Sequence, residues 1–363
     1  MPAVTETRVR EILGGIIDPH HGADLVGAGA VNGIGIADGD VSVDLVLGYP
    51  ALSTQAALAT EVKRALEADP EIRHATVGVT SLVVPHAVQQ GLSPLPGVKN
   101  IIAVASGKGG VGKSTVAVNL ALALVAEGAR VGILDADIYG PSQPRMTGTA
   151  GHPDTRDGKH IEPKIGHGLQ VMSIGYLIAE DTAMIWRGPM VTQALQQLLG
   201  DTSWDAVDYL VIDLPPGTGD IQLTLCQRVP VSGAVIVTTP QDIALLDAKK
   251  SLTMFDKVKV PVLGIVENMS THVCSNCGHE EHIFGEGGGG RMAAQYGVPL
   301  LGSIPLDIRI RAETDAGNPT VAAEPESAIA QRYREIARNA TARLSLRARN
   351  KAIPFPKIVV ENT

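Results

Sequence analysis

Cysteine is scarce in this chain: Cys226, Cys274 and Cys277 are the only three in 363 residues. An odd count, with two of the three nearly adjacent, excludes a secreted disulfide framework. Positive charge is not concentrated either. Lys and Arg number 30 against 38 Asp and Glu, a formal net charge of −8. A dedicated nucleic-acid binder needs a basic face to neutralise phosphates, so that class is set aside. Nothing approaches the roughly 18 uninterrupted apolar residues of a membrane span. The opening MPAVTETRVR lacks the apolar core of a secretory signal. The chain reads as soluble and cytoplasmic, with neither nucleic acid nor membrane among its expected partners. Low-complexity runs and repeats of solenoid period are lacking too.

What is present describes a globular protein. A hydrophobic content of 44% is close to the folded norm and excludes a disordered chain. At about 150 residues per domain the length suggests two domains or so, ample for a real core. Glycine (40) and proline (23) are both plentiful, which points to many tight turns around ligands.

Residues 1–89 read as a small α+β domain. Val9, Ile12, Leu13 and Ile16 fall at helical spacing, 41–47 and 74–79 read as strands, and a helix is predicted over about 54–66. Residues 90–98, rich in Gly and Pro, read as a linker. From residue 99 to 345 the rhythm changes. Apolar runs at 101–105, 131–134, 169–174, 209–212, 234–238, 262–266 and 300–304 alternate with helical patterns at 117–124, 190–199, 223–228, 244–255 and 327–344. Near-continuous apolar runs suit strands buried on both faces of a parallel sheet. The expectation is a doubly wound, mostly parallel α/β domain, followed by a C-terminal tail, 346–363.

Gly107-Lys-Gly-Gly-Val-Gly-Lys-Ser114 matches G-x-x-x-x-G-K-[ST], set between an apolar strand and a periodic helix. Gly107, Gly109, Gly110, Val111 and Gly112 let backbone N–H groups curl toward phosphate oxygens, and the helix that follows adds its positive dipole end. In such a loop Lys113 neutralises the β/γ phosphates and Ser114 ligates Mg²⁺. Asp213 ends an apolar strand, where an acid beside the loop supports the metal. Asp135 and Asp137 end another; Asp135 joins Ser114 and Asp213 as a candidate Mg²⁺ ligand, and Asp137 is suited to orient an attacking water.

With Lys108 the loop K-G-G-V-G-K-S-T resembles the deviant Walker A of the SIMIBI class of P-loop ATPases, the class of MinD, ParA and the nitrogenase iron protein. Asp135-Ala-Asp-Ile-Tyr-Gly-Pro-Ser142 and Asp213-Leu-Pro-Pro-Gly-Thr-Gly-Asp220 resemble its two switch segments. Adding Glu267-Asn-Met-Ser270 and the CxxC that follows, the chain resembles the Mrp/ApbC iron–sulfur carrier ATPases over residues 98–345. The resemblance implies a slow, Mg²⁺-dependent ATPase acting as a homodimer, with Lys108 reaching the partner's phosphates. It also implies nucleotide contacts through residues 107–115, Thr115 included, and adenine contacts through Asn268 and the segment from Pro305 to Asp307. Asp18-Pro19 makes the N-terminal unit resemble the SufT-like iron–sulfur assembly domain. The family continues with Glu where this chain has His20, and Gly48-Tyr-Pro-Ala51 lacks the cysteine that relatives carry there. That unit cannot supply a thiolate and reads as a docking module for clients or partners.

Cys274-Ser-Asn-Cys277 opens into a segment carrying Gly278, His279, His282 and Gly285. A structural zinc would want four ligands, for which Cys274, Cys277, His279 and His282 are the candidates. A redox pair would normally start a helix. Inert thiols are a third reading. The favoured one is half of a [4Fe–4S] site, because such a cluster takes four thiolates and two copies of the chain supply them. Apo iron–sulfur proteins and the cluster-assembly machinery are then the expected partners. Cys226, on an apolar helical stretch, reads as core, and His20-His21 as a solvated loop pair. Two further classes stay open: a MinD/ParA-like positioning ATPase on a membrane or DNA surface, and a zinc-stabilised nucleotide-dependent regulator. A membrane helix in the tail is opposed by Ile353-Pro-Phe-Pro356.

Overall fold

The computed structural model describes residues 4–155, 157–177, 188–274 and 276–348. It begins with α1 (Glu6–Gly14), β1 (Val31–Ala37), β2 (Asp40–Leu47), α2 (Gln55–Glu67) and β3 (His74–Ser81). The three strands form one sheet in the order β1-β2-β3, β1 antiparallel and β3 parallel to β2. Alternation along β2 is the cause: Val41, Val43, Leu45 and Leu47 face a small core with Val9, Leu13, Val62 and Leu66, and Ser42 and Asp44 face outward. β1 was not foreseen, because glycines interrupt its apolar residues.

The chain continues through β4 (Val98–Ala105), α3 (Lys113–Ala126), β5 (Val131–Asp135), α4 (Gln143–Met146), β6 (Lys164–Gly166), β7 (Leu169–Ser173), α5 (Gly188–Asp201), β8 (Val207–Asp213), α6 (Asp220–Arg228), β9 (Gly233–Thr238), α7 (Asp242–Lys257), β10 (Val262–Val273), β11 (Glu280–Glu281), α8 (Gly288–Tyr296), β12 (Leu300–Leu306), α9 (Ile308–Asp315), α10 (Thr320–Ala323) and α11 (Ala328–Ser345). A nine-stranded sheet runs β11-β10-β9-β4-β8-β5-β7-β6, with β12 also on β10, and only β6 and β11 are antiparallel. The doubly wound, mostly parallel α/β architecture is therefore present. Its chain order leaves β4 in one direction toward β8 and β5 and in the other toward β9, so the crevice for a ligand lies where β4 ends.

Besides short elements that the sequence reading did not expect (α4, β6, β11, α8, α9 and α10), two readings need correction. The strand expected at 262–266 runs on to Val273. Its second half is polar, but β12 pairs alongside: Ser270 Oγ donates to Ile304 O (3.1 Å) and His272 Nδ1 donates to Leu306 O (3.2 Å). His20 and His21 are not a solvated pair. The His21 side chain is 3% exposed beside Asp18, accepts from Ala23 N at 3.1 Å, and burial lowers its pKa. His20 accepts from Arg338 Nε (3.2 Å) and through Nδ1 donates to Asn339 Oδ1 (2.8 Å), both on α11.

That contact belongs to a polar cluster seating the N-terminal sheet on the larger unit. The fully buried Glu127 carboxylate, at the end of α3, accepts from Ser53 N (3.0 Å), Ser53 Oγ (2.7 Å), Arg334 Nε (2.8 Å) and Arg338 Nη1 (2.6 Å). Burial opposes its charge, but Ser53 and the two arginines prevail and hold its pKa below the usual range. Removing one member of a buried pair strands the other. We expect Glu127→Ala to cost about 3–5 kcal/mol in urea unfolding. A depressed acid stabilises above its unfolded pKa and loses that contribution as pH falls through the folded one. The gap between wild type and Glu127→Ala should therefore be full at neutral pH and shrink in acid.

Among the described residues no helix is long and apolar enough to cross a membrane. In the tail, Arg347 is described, whereas Arg349, Lys351 and the Ile353–Pro356 segment lie outside the described residues.

Candidate functional site

The loop after β4 is built by close approaches only glycine permits. A Cβ on Gly107 would lie 2.1 Å from the Asp247 carbonyl carbon of α7, and Gly112, at φ +81°, would meet Asn268 Nδ2 at 2.2 Å. Gly112 caps α3, so the free N–H groups of that helix open into the crevice. Lys108 is half-buried, and its ammonium makes no ion pair among the described residues. Gly109 and Gly110 are exposed, Ser114 and Thr115 half-buried at the first turn of α3.

Lys113 pairs with Asp213 Oδ1, at the end of β8, and donates to Ser114 Oγ (3.2 Å). Asp213 Oδ2 accepts from Gln143 Nε2 (2.9 Å). Asp135, fully buried at the end of β5, accepts from Asp137 N (3.1 Å), Ser142 N (2.8 Å), Gln143 N (3.0 Å) and Ser173 Oγ (3.2 Å). Burial, then the charge of Asp213, pushes its pKa up to about 7. Asp137 borders a cleft of about 430 Å³ with Tyr139, Pro215, Pro216, Gly219 and Gln222, and burial raises its pKa as well. The structure thus brings together Lys113, Ser114, Asp135, Asp137 and Asp213. It adds Gln143, which the sequence reading missed. A glutamine after Ser142 carries no local signal, since its partners lie far along the chain.

Asn268 donates to Val111 O at 2.9 Å, so its amide anchors the phosphate loop from below. Strand pairing sets Asn268 opposite Ile304, with Pro305 next in line. Asp307 caps α9 and is bound to Arg309 through N (2.8 Å) and the guanidinium (2.8 and 3.1 Å). Its carboxylate serves the helix start.

β10 ends on the cysteine pair. Cys274 N donates to His279 O (2.9 Å) and Gly278 N to Cys274 O (2.8 Å), closing a hairpin onto β11. Cys274 is half-buried and Cys277 exposed, both free thiols. Hydrogen bonds from the N–H groups of Asn276 and Cys277 lower the Cys274 pKa, which favours the ligating thiolate. The imidazoles point elsewhere: His282 Nδ1 donates to Ser270 O (3.3 Å), and His279 faces Glu281 (3.9 Å). Among the described residues no three His, Cys, Asp or Glu side chains converge as a metal site, so the four-ligand zinc set does not assemble within one chain. Cys226 is buried, with its pKa pushed up to about 12.

Residues 97–341 match the family model described as NUBPL iron-transfer P-loop NTPase. The chain belongs to this family. Residues 6–79 match a second model, iron-sulfur cluster assembly protein. The iron-sulfur cluster carrier protein of Pseudomonas fragi is 60% identical over 268 residues, covering 73% of this chain and 93% of that protein. The Synechocystis protein of the same description is 43% identical over 350 residues, 95% of this chain and 99% of that one. A nucleotide-binding protein of Archaeoglobus fulgidus, solved with ADP, shares 40% identity with a TM-score of 0.56, covering 64% of this chain and 90% of that one. The residues matched by the NTPase family model include both the phosphate loop and the strand that leads to the cysteines.

Proposed function

We propose that the chain is an ATP-hydrolysing carrier that holds a [4Fe–4S] cluster between two copies and passes it to apoproteins. The observation that carries this reading is the shared strand: β10 touches the phosphate loop through Asn268 and ends at the cysteine hairpin. Each copy offers two ligating thiols, and a second copy completes the four. Lys108 stands ready for the same second copy. Tyr139 (62% exposed), Ile243 (69%) and Leu246 (62%) supply apolar surface on the segment 135–142 and α7 for it to cover. A reducing, cytoplasmic compartment would keep Cys274 and Cys277 as free thiols. The domain of residues 1–89, whose described part (4–89) is seated on α11, then presents the outer sheet face of Ser42, Asp44 and Thr76 to clients or assembly factors, while residues 99–345 do the nucleotide work.

Backbone N–H groups of 107–115 would take the phosphates, and Lys113 would leave Asp213 to neutralise them. Hard oxygens fit Mg²⁺ here: Ser114 Oγ and Asp213 are joined through Lys113, and Asp135 lies one hydrogen-bonded residue further. Bound Mg²⁺ supplies charge neutralisation at the β- and γ-phosphates. Asp137, its basicity raised by burial, would orient the water from the switch cleft. Asn268 and Pro305 would border the adenine, while Asp307 holds the start of α9. Movement of the switch residues 137–139 and 217–220 would alter the copy-to-copy face and with it the hold on the cluster.

Lys108→Ala should lose hydrolysis on the order of 100-fold and lose ATP-dependent pairing, while a single chain still binds nucleotide; steady-state turnover and light scattering check this. The reading itself is tested by anaerobic reconstitution with iron, sulfide and mass determination. One cluster per two chains is expected. A full cluster on a monomer, or none at all, overturns it.

A further inference from the structure

Gln143 opens α4 with its side chain fully buried among three separate pieces of the nucleotide site. Its backbone N–H donates to Asp135 Oδ2 (3.0 Å), and its side-chain Nε2 donates both to Ser114 O (3.2 Å) and to Asp213 Oδ2 (2.9 Å). Both Nε2 partners are acceptors without protons to give, so the amide orientation is fixed and both of its hydrogens are used. The remaining atom, Oε1, is sealed from solvent, and no donor among the described residues reaches it. A buried carbonyl oxygen without a donor costs on the order of the desolvation it suffers. Such an atom is tolerated where a donor arrives in another state of the site.

The residues that Gln143 grips identify that donor. Ser114 and Asp213 are the two that hold the Lys113 ammonium. When phosphates draw Lys113 away, Asp213 loses the partner on Oδ1 and keeps only Gln143 on Oδ2. A divalent cation arriving with the nucleotide brings coordinated waters, whose polarised protons are strong donors.

We infer that Gln143 is a positioning residue for the metal: Nε2 keeps the Asp213 carboxylate aimed after Lys113 departs, and Oε1 accepts from a metal-bound water. This rests on the Mg²⁺–nucleotide reading above and gives that reading an outer-shell partner, of the kind whose loss typically costs 10–100-fold in metal affinity.

The test compares wild type with Gln143→Leu and Gln143→Glu, full length, by titrating a fluorescent ADP at fixed free Mg²⁺ concentrations and in EDTA. Leucine removes donor and acceptor, and should raise the Mg²⁺ concentration for half-maximal binding by about tenfold or more, with EDTA affinity within about threefold. Glutamate keeps an acceptor but sets a carboxylate oxygen against Asp213 Oδ2 and Ser114 O where Nε2 donated, so its Mg²⁺ requirement should rise as well. A merely structural role would weaken binding of the leucine variant in EDTA as much as in Mg²⁺. An unchanged Mg²⁺ requirement in either variant, or an EDTA affinity of the leucine variant that falls as far as its affinity in Mg²⁺, would overturn the inference, and if the leucine variant does not fold, an unchanged Mg²⁺ requirement in the glutamate variant does so alone. Failure of wild type to bind nucleotide at all would instead sink the ATPase reading.

Discussion

Replacing Cys274 and Cys277 together by alanine should abolish cluster binding, taking iron and sulfide from about four of each per pair of chains to background. No other residue can stand in. Cys226 is packed among Ala103, Leu134, Leu195, Ile212 and Val231, and its raised pKa keeps it a thiol, which is neither nucleophile nor ligand. His279 and His282 are turned to Glu281 and to the strand backbone. The fold should survive, because the hairpin is closed by backbone hydrogen bonds at Cys274 and Gly278 that alanine at 274 retains. Nucleotide affinity should stay within about threefold, since Cys274 lies beyond the end of β10, while Asn268 meets the phosphate loop from within the strand. Absorbance and iron/sulfide analysis after anaerobic reconstitution decide the matter: a double variant that keeps a wild-type iron count would sink the cluster site.

Much of this was legible because it is local. The phosphate loop is contiguous, so the octet's spacing alone carries the pattern, although the close approaches that require Gly107 and Gly112 come from α7 and β10. Six of the seven strands read from apolar runs also announced themselves as buried, since strands covered on both faces must be apolar throughout, whereas the seventh, β12, is only partly buried. The same criterion failed where burial is one-sided or pairing replaces it. β10 runs past its apolar half because β12 lies beside Ser270 and His272, and β1 holds together by pairing with β2 despite its glycines. Long-range partners were invisible. His20 meets Asn339 and Arg338, and Gln143 meets Asp213, contacts that no spacing rule connects. The histidine pair was read as solvated for that reason. The contacts of His20 with α11 are a property of the docked sheet, where it becomes an acceptor for Arg338, while His21 is buried beside Asp18 and Tyr49.

Asp213→Asn should split nucleotide binding from hydrolysis in opposite directions. Lys113 is buried and paired with Asp213. Phosphate must draw the ammonium off this carboxylate, so the pair competes with the ligand. Asparagine keeps an oxygen for Gln143 Nε2 and removes the charge that holds Lys113. In EDTA, ADP should therefore bind about tenfold more tightly, a modest fraction of the several kcal/mol that separating a buried pair costs. With Mg²⁺ the sign reverses. The neutral side chain is a poor partner for a hard divalent cation, and hydrolysis should fall on the order of 100-fold or more. Calorimetry with ADP in EDTA and single-turnover hydrolysis with Mg²⁺ measure the two halves separately. If affinity in EDTA drops together with the rate, Asp213 orders the loop instead of restraining Lys113, and the competition argued from the buried pair is wrong.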